Sequence, residues 1–179
     1  DVVIPSRSLR EFTSVFSDDI ETVEVFFSNN QLLFRSQHIS FYTRLLEGTY
    51  PDTDRLIPKD FNTTVTFDTA NLRHAMERAR LLSNATQNGT VKLDIQNGLV
   101  SAHVNSPEVG KVNEELDTLA VSGDDLIISF NPTYLIDALK AVGHEQVQIS
   151  FISPIRPFTL VPNAADEDFI QLITPVRTN

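Results

Sequence analysis

Four histidines, His38, His74, His103 and His144, are the side chains best suited to ligate a metal or carry a proton near neutral pH. No two of them stand within a helical turn of each other, so zinc-ligand spacing is missing. Asp52 and Asp54 flank Thr53 as the first two ligands of a calcium loop would. The glycine that turns such a loop and the glutamate that closes it are both missing at the required offsets. The acidic groups Asp124-Asp125 and Asp166-Glu167-Asp168 precede strand-like runs, where solvated turn residues are the ordinary explanation. Six glycines form neither a phosphate-cradling loop nor a nucleophile elbow. There is no cysteine, hence no thiolate chemistry and no disulfide framework. Nothing joins a nucleophile to a base and an oxyanion hole. The expectation is a binding protein, without catalysis, metal or cofactor.

The surrounding sequence alternates strand and helix signals. Leu9, Phe12, Val15 and Phe16 recur at helical spacing and predict a helix over about Ser6–Phe16, capped by Ser6 or Ser8. TVEVFFS from Thr22, QLLFRS from Gln31 and HISFYTRLL from His38 read as three strands, the first by its alternation. TTVTFD from Thr63 is a further strand. TANLRHAMERARLLSN is then a helix with Thr69 as its expected cap. VKLDIQNGLVSAHVN is a hairpin turning at Gln96-Asn97-Gly98. Short strands follow near Gly110–Glu115 and Thr118–Val121. LIISFNPTYLIDALKAV repeats the order strand, loop, helix, with Pro132 near the helix start. VQISFI, PFTLVP and DFIQLITPV close the chain. The openings DVVIPSRSLREF and DLIISFNPTYLIDAL share one pattern, so the layout repeats. Strands outnumber helices, which predicts an α+β fold of antiparallel sheets with helices packed on one face. Between the first and second such sets lies RLLEGTYPDTDRLIP, where Pro51 and Pro58 stiffen what reads as a domain connection.

Charge separates the helices from the rest. The three helical segments carry Arg7, Arg10, Arg73, Arg78, Arg80 and Lys140 against Glu11, Glu77 and Asp137. Their sum is +3 in a chain whose formal net charge is −10. In the middle helix Leu72, Ala75, Met76, Ala79 and Leu82 form one apolar arc. Arg73 and Arg80 leave one flank, Arg78 the other, and Leu81 points opposite. Two readings are open: a solvated helix face, or basic helices turned toward an anionic polymer that the acidic body would otherwise repel. Exposed Leu81 suggests a subunit contact.

The 41% apolar content is that of a globular chain. No apolar run approaches membrane-spanning length, and no signal peptide is visible. The chain opens at Asp1 directly into VVI, which leads us to expect a fragment or processed product. Sequons at Asn62, Asn84 and Asn88 keep a second class in play, a secreted β-rich recognition or adhesion module.

Five stretches then carry a resemblance: FYTRLLEGTYPDTDRLIP, RARLLSN at the end of the middle helix, FNPTYLIDAL, PIRPFTLVP and LITPVR. In this order and spacing, over nearly the whole chain, they resemble the bacterial DNA polymerase III beta subunit family, the replicative sliding clamps. The resemblance implies a DNA clamp fold with antiparallel sheets outside and paired helices on the inner face. It implies a head-to-tail homodimer of three-domain subunits encircling duplex DNA without sequence preference, in the bacterial cytoplasm at the nucleoid. Residues 1–58 would be the second half of the second domain with its linker, and residues 59–179 the third domain. Arg7, Arg10, Arg73, Arg80 and Lys140 would face DNA, and Leu81 and Leu82 would lie at the subunit joint. The family also has a cleft that docks short apolar motifs of the polymerase alpha subunit, the clamp loader, repair polymerases and mismatch-repair proteins. Its matching residues here are Pro51, Arg55, Leu56, Asn131, Tyr134, Ile155, Pro157, Leu172, Ile173, Thr174, Pro175, Val176 and Arg177. The family often has methionine where Thr174 stands, and it places a His-Arg wall of the cleft before the start of this chain.

Overall fold

A computed structural model of the chain describes residues 2–16, 20–36, 38–50, 52–83, 89–106, 110–164 and 168–177. The backbone divides into two units, residues 1–53 and 54–179. The division falls inside the Pro51–Pro58 stretch, within a short 3-10 turn at Thr53–Arg55.

In the first unit, helix α1 (Ser6–Val15) precedes the antiparallel sheet β1 (Glu24–Phe27), β2 (Gln31–Ser36) and β3 (Ile39–Arg44), in that spatial order. The packing is aromatic. The Phe12 ring lies 4.5 Å from both Phe16 and Phe34, and Phe41 closes the cluster at 6.3 Å. Such ring pairs add to the burial of Leu32 and Phe34 beneath them. The opening VVI run reduces to one bridge, Val3 to Leu46. Neither serine caps α1. Pro5 occupies that position without a side-chain hydrogen bond, and the Ser8 hydroxyl instead accepts from the Thr43 hydroxyl at 2.8 Å. The alternation read in TVEVFFS is not expressed as burial: all four residues of β1 are exposed, Phe27 by 64%. The helix rings pack on β2 and β3 and leave β1 an uncovered edge.

The second unit holds a five-stranded and a four-stranded antiparallel sheet. Its elements are β4 (Thr63–Asp68), α2 (Thr69–Ser83), β5 (Val91–Gln96), β6 (Leu99–Ser106), β7 (Gly110–Glu115), β8 (Ala120–Gly123), β9 (Leu126–Phe130), α3 (Pro132–Ala141), β10 (Gln146–Phe151), β11 (Phe158–Pro162) and β12 (Gln171–Ile173). The sheet orders are β12-β11-β10-β4-β8 and β7-β6-β5-β9. Within this unit the strand–helix–strand order occurs twice, from β4 and from β9, and the two halves exchange strands. The strand before α2 pairs with the strand after α3 (Val147 opposite Phe67), and the strand before α3 pairs with the strand after α2 (Leu93 opposite Ile128). Each half therefore completes the other's sheet, and α2 packs on α3 over one shared core. Leu72, Ala75, Met76 and Ala79 of the apolar arc are buried in it, and Leu82 packs at its margin. Asn97 and Gly98 turn the β5–β6 hairpin with φ of 52° and 78°, the left-handed pair that a two-residue turn requires.

The cap of α2 is Asp68 rather than Thr69. Its carboxylate accepts the Asn71 amide at 2.8 Å, while the Thr69 amide donates to the Glu145 carbonyl. The expected strand near Thr118–Val121 lies at Ala120–Gly123, and DFIQLITPV contributes only three strand residues.

Candidate binding groove and basic helix faces

Asn131 builds the start of α3. Its side-chain oxygen accepts the Thr133 amide at 2.9 Å, and Pro132 follows at the first helical position, where no amide is needed. The cap fixes the first turn, and with it Tyr134, whose residue surface is 57% exposed. Opposite lies β12, held to β11 by the pairs Phe158–Ile173 and Thr159–Leu172. Ile173 is buried, Leu172 half-buried and Thr174 exposed. Beyond it the Val176 amide donates to the Ser129 carbonyl at 2.7 Å, which anchors the tail beside the end of β9.

Between α3 and β12 runs a groove of about 340 Å³ lined by Tyr134, Asp137, Ala138, Gln171, Leu172, Ile173 and Thr174. Four of the cleft residues named from the sequence meet here: Tyr134, Leu172, Ile173 and Thr174. Asn131 supports the groove from below through its cap, and Pro175, Val176 and Arg177 continue the tail outside the lining. Ile155, 61% exposed, and half-buried Pro157 lie on the loop before β11 and do not line it. Arg55 and Leu56 are exposed residues of the second unit, also outside the lining. Pro51 lies outside the described residues, as do the sequons Asn84 and Asn88. Sequence reasoning missed Asp137, Ala138 and Gln171. The signal for Asp137 was its position one helical turn after Tyr134.

The basic side chains differ in how far their charge is already engaged. Arg7, at 87% side-chain exposure, pairs with Glu11 at 2.9 Å, while Arg10 is exposed on the same helix. Arg73 pairs with Glu77 at 3.1 Å. Arg78 binds Glu114, and that hydrogen bond raises the guanidinium pKa above its ordinary value, so Arg78 is charged but occupied. Arg80 is half-buried, with its Nε enclosed and unpaired among the described residues. Lys140 is exposed and borders a second groove of about 420 Å³ shared with Arg73, Asp68, His144 and Glu145. At the end of α2, Leu81 is 72% exposed. Leu82 turns inward against the core.

Among the described residues, no cluster of three His, Cys, Asp or Glu side chains could hold a metal. No described helix is long and apolar enough to cross a membrane.

Residues 1–52 match the central domain of the DNA polymerase III beta subunit, and residues 54–177 match its C-terminal domain. The beta sliding clamp of Streptococcus pneumoniae is 78% identical over 179 residues, covering all of this chain and 47% of that protein. The beta sliding clamp of Staphylococcus aureus is 41% identical over 177 residues, 99% of this chain and 47% of its own length. The crystal structure of the S. pneumoniae DNA polymerase III beta chain superposes with a TM-score of 0.95 at 78% identity, covering 99% of this chain and 47% of that one. That of the Bacillus subtilis DNA polymerase sliding clamp gives 0.89 at 39% identity, covering 99% of this chain and 47% of that one. The chain thus spans about half the length of the curated relatives it matches.

Proposed function

The chain belongs to the DNA polymerase III beta subunit family, and we propose that it serves, as part of a longer clamp subunit, as a non-catalytic processivity factor that docks partner peptides in the groove between α3 and β12. The observation that carries this reading is Tyr134. A largely exposed aromatic ring sits on a capped helix start, facing a strand that offers Leu172 and Ile173. An exposed aromatic beside apolar lining is the composition of a binding hot spot, whereas a solvated helix has no need of it. Arg55, Leu56, Ile155, Pro157 and the Pro175–Arg177 tail extend the docking surface in this reading, and Pro51 is proposed as a further contributor. The polymerase alpha subunit, clamp loader, repair polymerases and mismatch-repair proteins are the partners it would take.

The test is a titration of the chain with a fluorescent peptide bearing a short apolar clamp-binding motif. Tyr134→Ala is expected to weaken binding at least about tenfold, the loss of one aromatic anchor. Tyr134→Phe should retain most of it. Equal affinity in the alanine variant would remove this groove as the docking site.

In the same reading residues 1–58 form the later half of a central domain with its connection, and residues 59–179 form the C-terminal domain. Arg7, Arg10, Arg73, Arg80 and Lys140 face duplex DNA inside a head-to-tail homodimeric ring, closed through Leu81 and Leu82, at the bacterial nucleoid in the cytoplasm. The available charges are unequal. Lys140 makes no ion pair among the described residues, whereas Arg73 already faces Glu77. Lys140→Ala should therefore lower duplex affinity uniformly across sequences and reduce the slope of log affinity against log salt by about 0.9. An unchanged slope would place Lys140 away from the phosphates.

The secreted-module alternative gains nothing from the described sequon. The Asn62 amide already donates to the Ile152 carbonyl at 2.9 Å, tying the start of β4 to the end of β10.

A further inference from the structure

Among the described residues, Asp137 is the one charged residue lining the groove between α3 and β12. It is exposed and makes no hydrogen bond or ion pair among the described residues. Lys140 lies three positions on, but it borders the other groove and leaves Asp137 unneutralised. A bare carboxylate does nothing for a helix turned toward DNA, where it would repel phosphate. It also gains nothing at the middle of α3, away from the helix start that favours acids. It does sit one turn from Tyr134, beside apolar Ala138 and opposite Leu172 and Ile173.

We infer that Asp137 sets the specificity of the groove, selecting peptides whose apolar core is flanked by a basic residue. This rests on the docking reading above and adds the sign of the charge that the visiting segment carries. The occupant is a peptide with Lys or Arg next to the side chain that contacts Tyr134. Apolar lining holds its core, and the carboxylate adds attraction for the cation and repels an acidic flank. Discrimination of this kind comes as much from the rejected charge as from the favoured one.

The experiment compares fluorescein-labelled peptides with the same Leu-Phe core flanked by lysine, norleucine or glutamate, titrated into the full chain by fluorescence anisotropy. For the natural sequence the expected order is lysine, then norleucine, then glutamate, with about a three- to fivefold step for an exposed charge pair. Raising the salt should compress the steps. In Asp137→Asn the three peptides should converge on the norleucine affinity, which itself should not change. Asp60→Asn, an equal loss of net charge at an exposed site outside the groove, should leave the order intact. An order that persists in Asp137→Asn and collapses in Asp60→Asn would overturn the inference in favour of bulk charge. Equal binding of all three peptides to the natural sequence would also overturn it while leaving docking standing. If none of the three binds, the docking reading itself fails, and the specificity assignment with it.

Discussion

Gly123→Ala is expected to destabilise the second unit by about 3 kcal/mol or more. Two costs act together. The residue has φ of +97°, a conformation that side chains other than glycine's rarely adopt. A β-carbon built there would also overlap the backbone carbonyl of Asn62, and neither side of that contact can yield. Gly123 is the last residue of β8, directly opposite Thr63 at the start of β4. The Asp124 amide donates to the Asn62 carbonyl at 3.1 Å, and the Thr63 hydroxyl donates to the Asp124 carbonyl at 2.7 Å. Relief of the overlap would pull these bonds apart. Gly98 is the control, because it too has positive φ but meets nothing within 4 Å. Gly98→Ala should cost only the backbone term, about 1 kcal/mol. Hydrogen exchange of the β4 amides measures both variants in the folded chain. Equal protection in Gly123→Ala and Gly98→Ala would mean that the β8 end moves freely.

The difference between these glycines illustrates what could be read in advance. Gly98 follows Asn97 between two alternating runs, so its turn is a local matter and was legible. Gly123 is constrained by a strand some sixty positions away in sequence, and its neighbours carry no sign of that contact. The same division runs through the molecule. The helices, the hairpin and the repeated order of elements follow from periodicity, but the exchange of first strands between halves does not, since pairing partners leave no periodic trace. At α2, Thr69 and Asp68 are both acceptable caps by type, and only the strand exit decides that Asp68 reaches back to Asn71. In β1 the alternation promised a buried face, yet burial depends on whether a helix reaches that strand, and the rings of α1 stop at β2 and β3.

The groove shows the same limit at the level of function. Tyr134, Leu172, Ile173 and Thr174 were named because stretches around them matched a family pattern, and they converge on one depression. Asp137 entered the sequence reading only as a charge to be subtracted from a basic helix. Its spacing from Tyr134 placed it on the same helix face, but its neighbours across the groove come from β12, more than thirty positions later, so that spacing alone could not assign it a role. The basic residues were counted as equals, but ion pairing ranks them: Arg78 is taken by Glu114 and Arg73 by Glu77, while Lys140 makes no ion pair among the described residues. A charge tally reads composition; availability depends on which carboxylates the fold brings alongside.

Phe158→Ala is expected to cost about 3–5 kcal/mol, the range for an aromatic removed from a closed core, and to weaken peptide binding without touching the peptide. The Phe158 ring is 1% exposed and lies 5.3 Å from Phe130 and 5.1 Å from Phe151. It thereby joins β11 to the end of β9 and to β10, one strand from each of the two sheets of the second unit. Its backbone is also the register partner of Ile173. β12 is only three residues long and stands at the sheet edge, with β11 as its sole pairing partner among the described residues. So short an edge strand has little order of its own and takes its position from the strand behind it. A cavity at Phe158 lets β11 settle toward Phe130, and β12 moves with it, changing the width of the groove between Tyr134 and Leu172. Two measurements separate the effects. Hydrogen exchange should show lower protection at Leu160 and Ile173 together. Peptide titration at a temperature where circular dichroism still reports a folded chain should show reduced affinity, with Phe158→Leu intermediate in both. Full peptide affinity in a folded Phe158→Ala chain would mean that β12 is positioned by its tail, through Val176 and Ser129, rather than by the core beneath it.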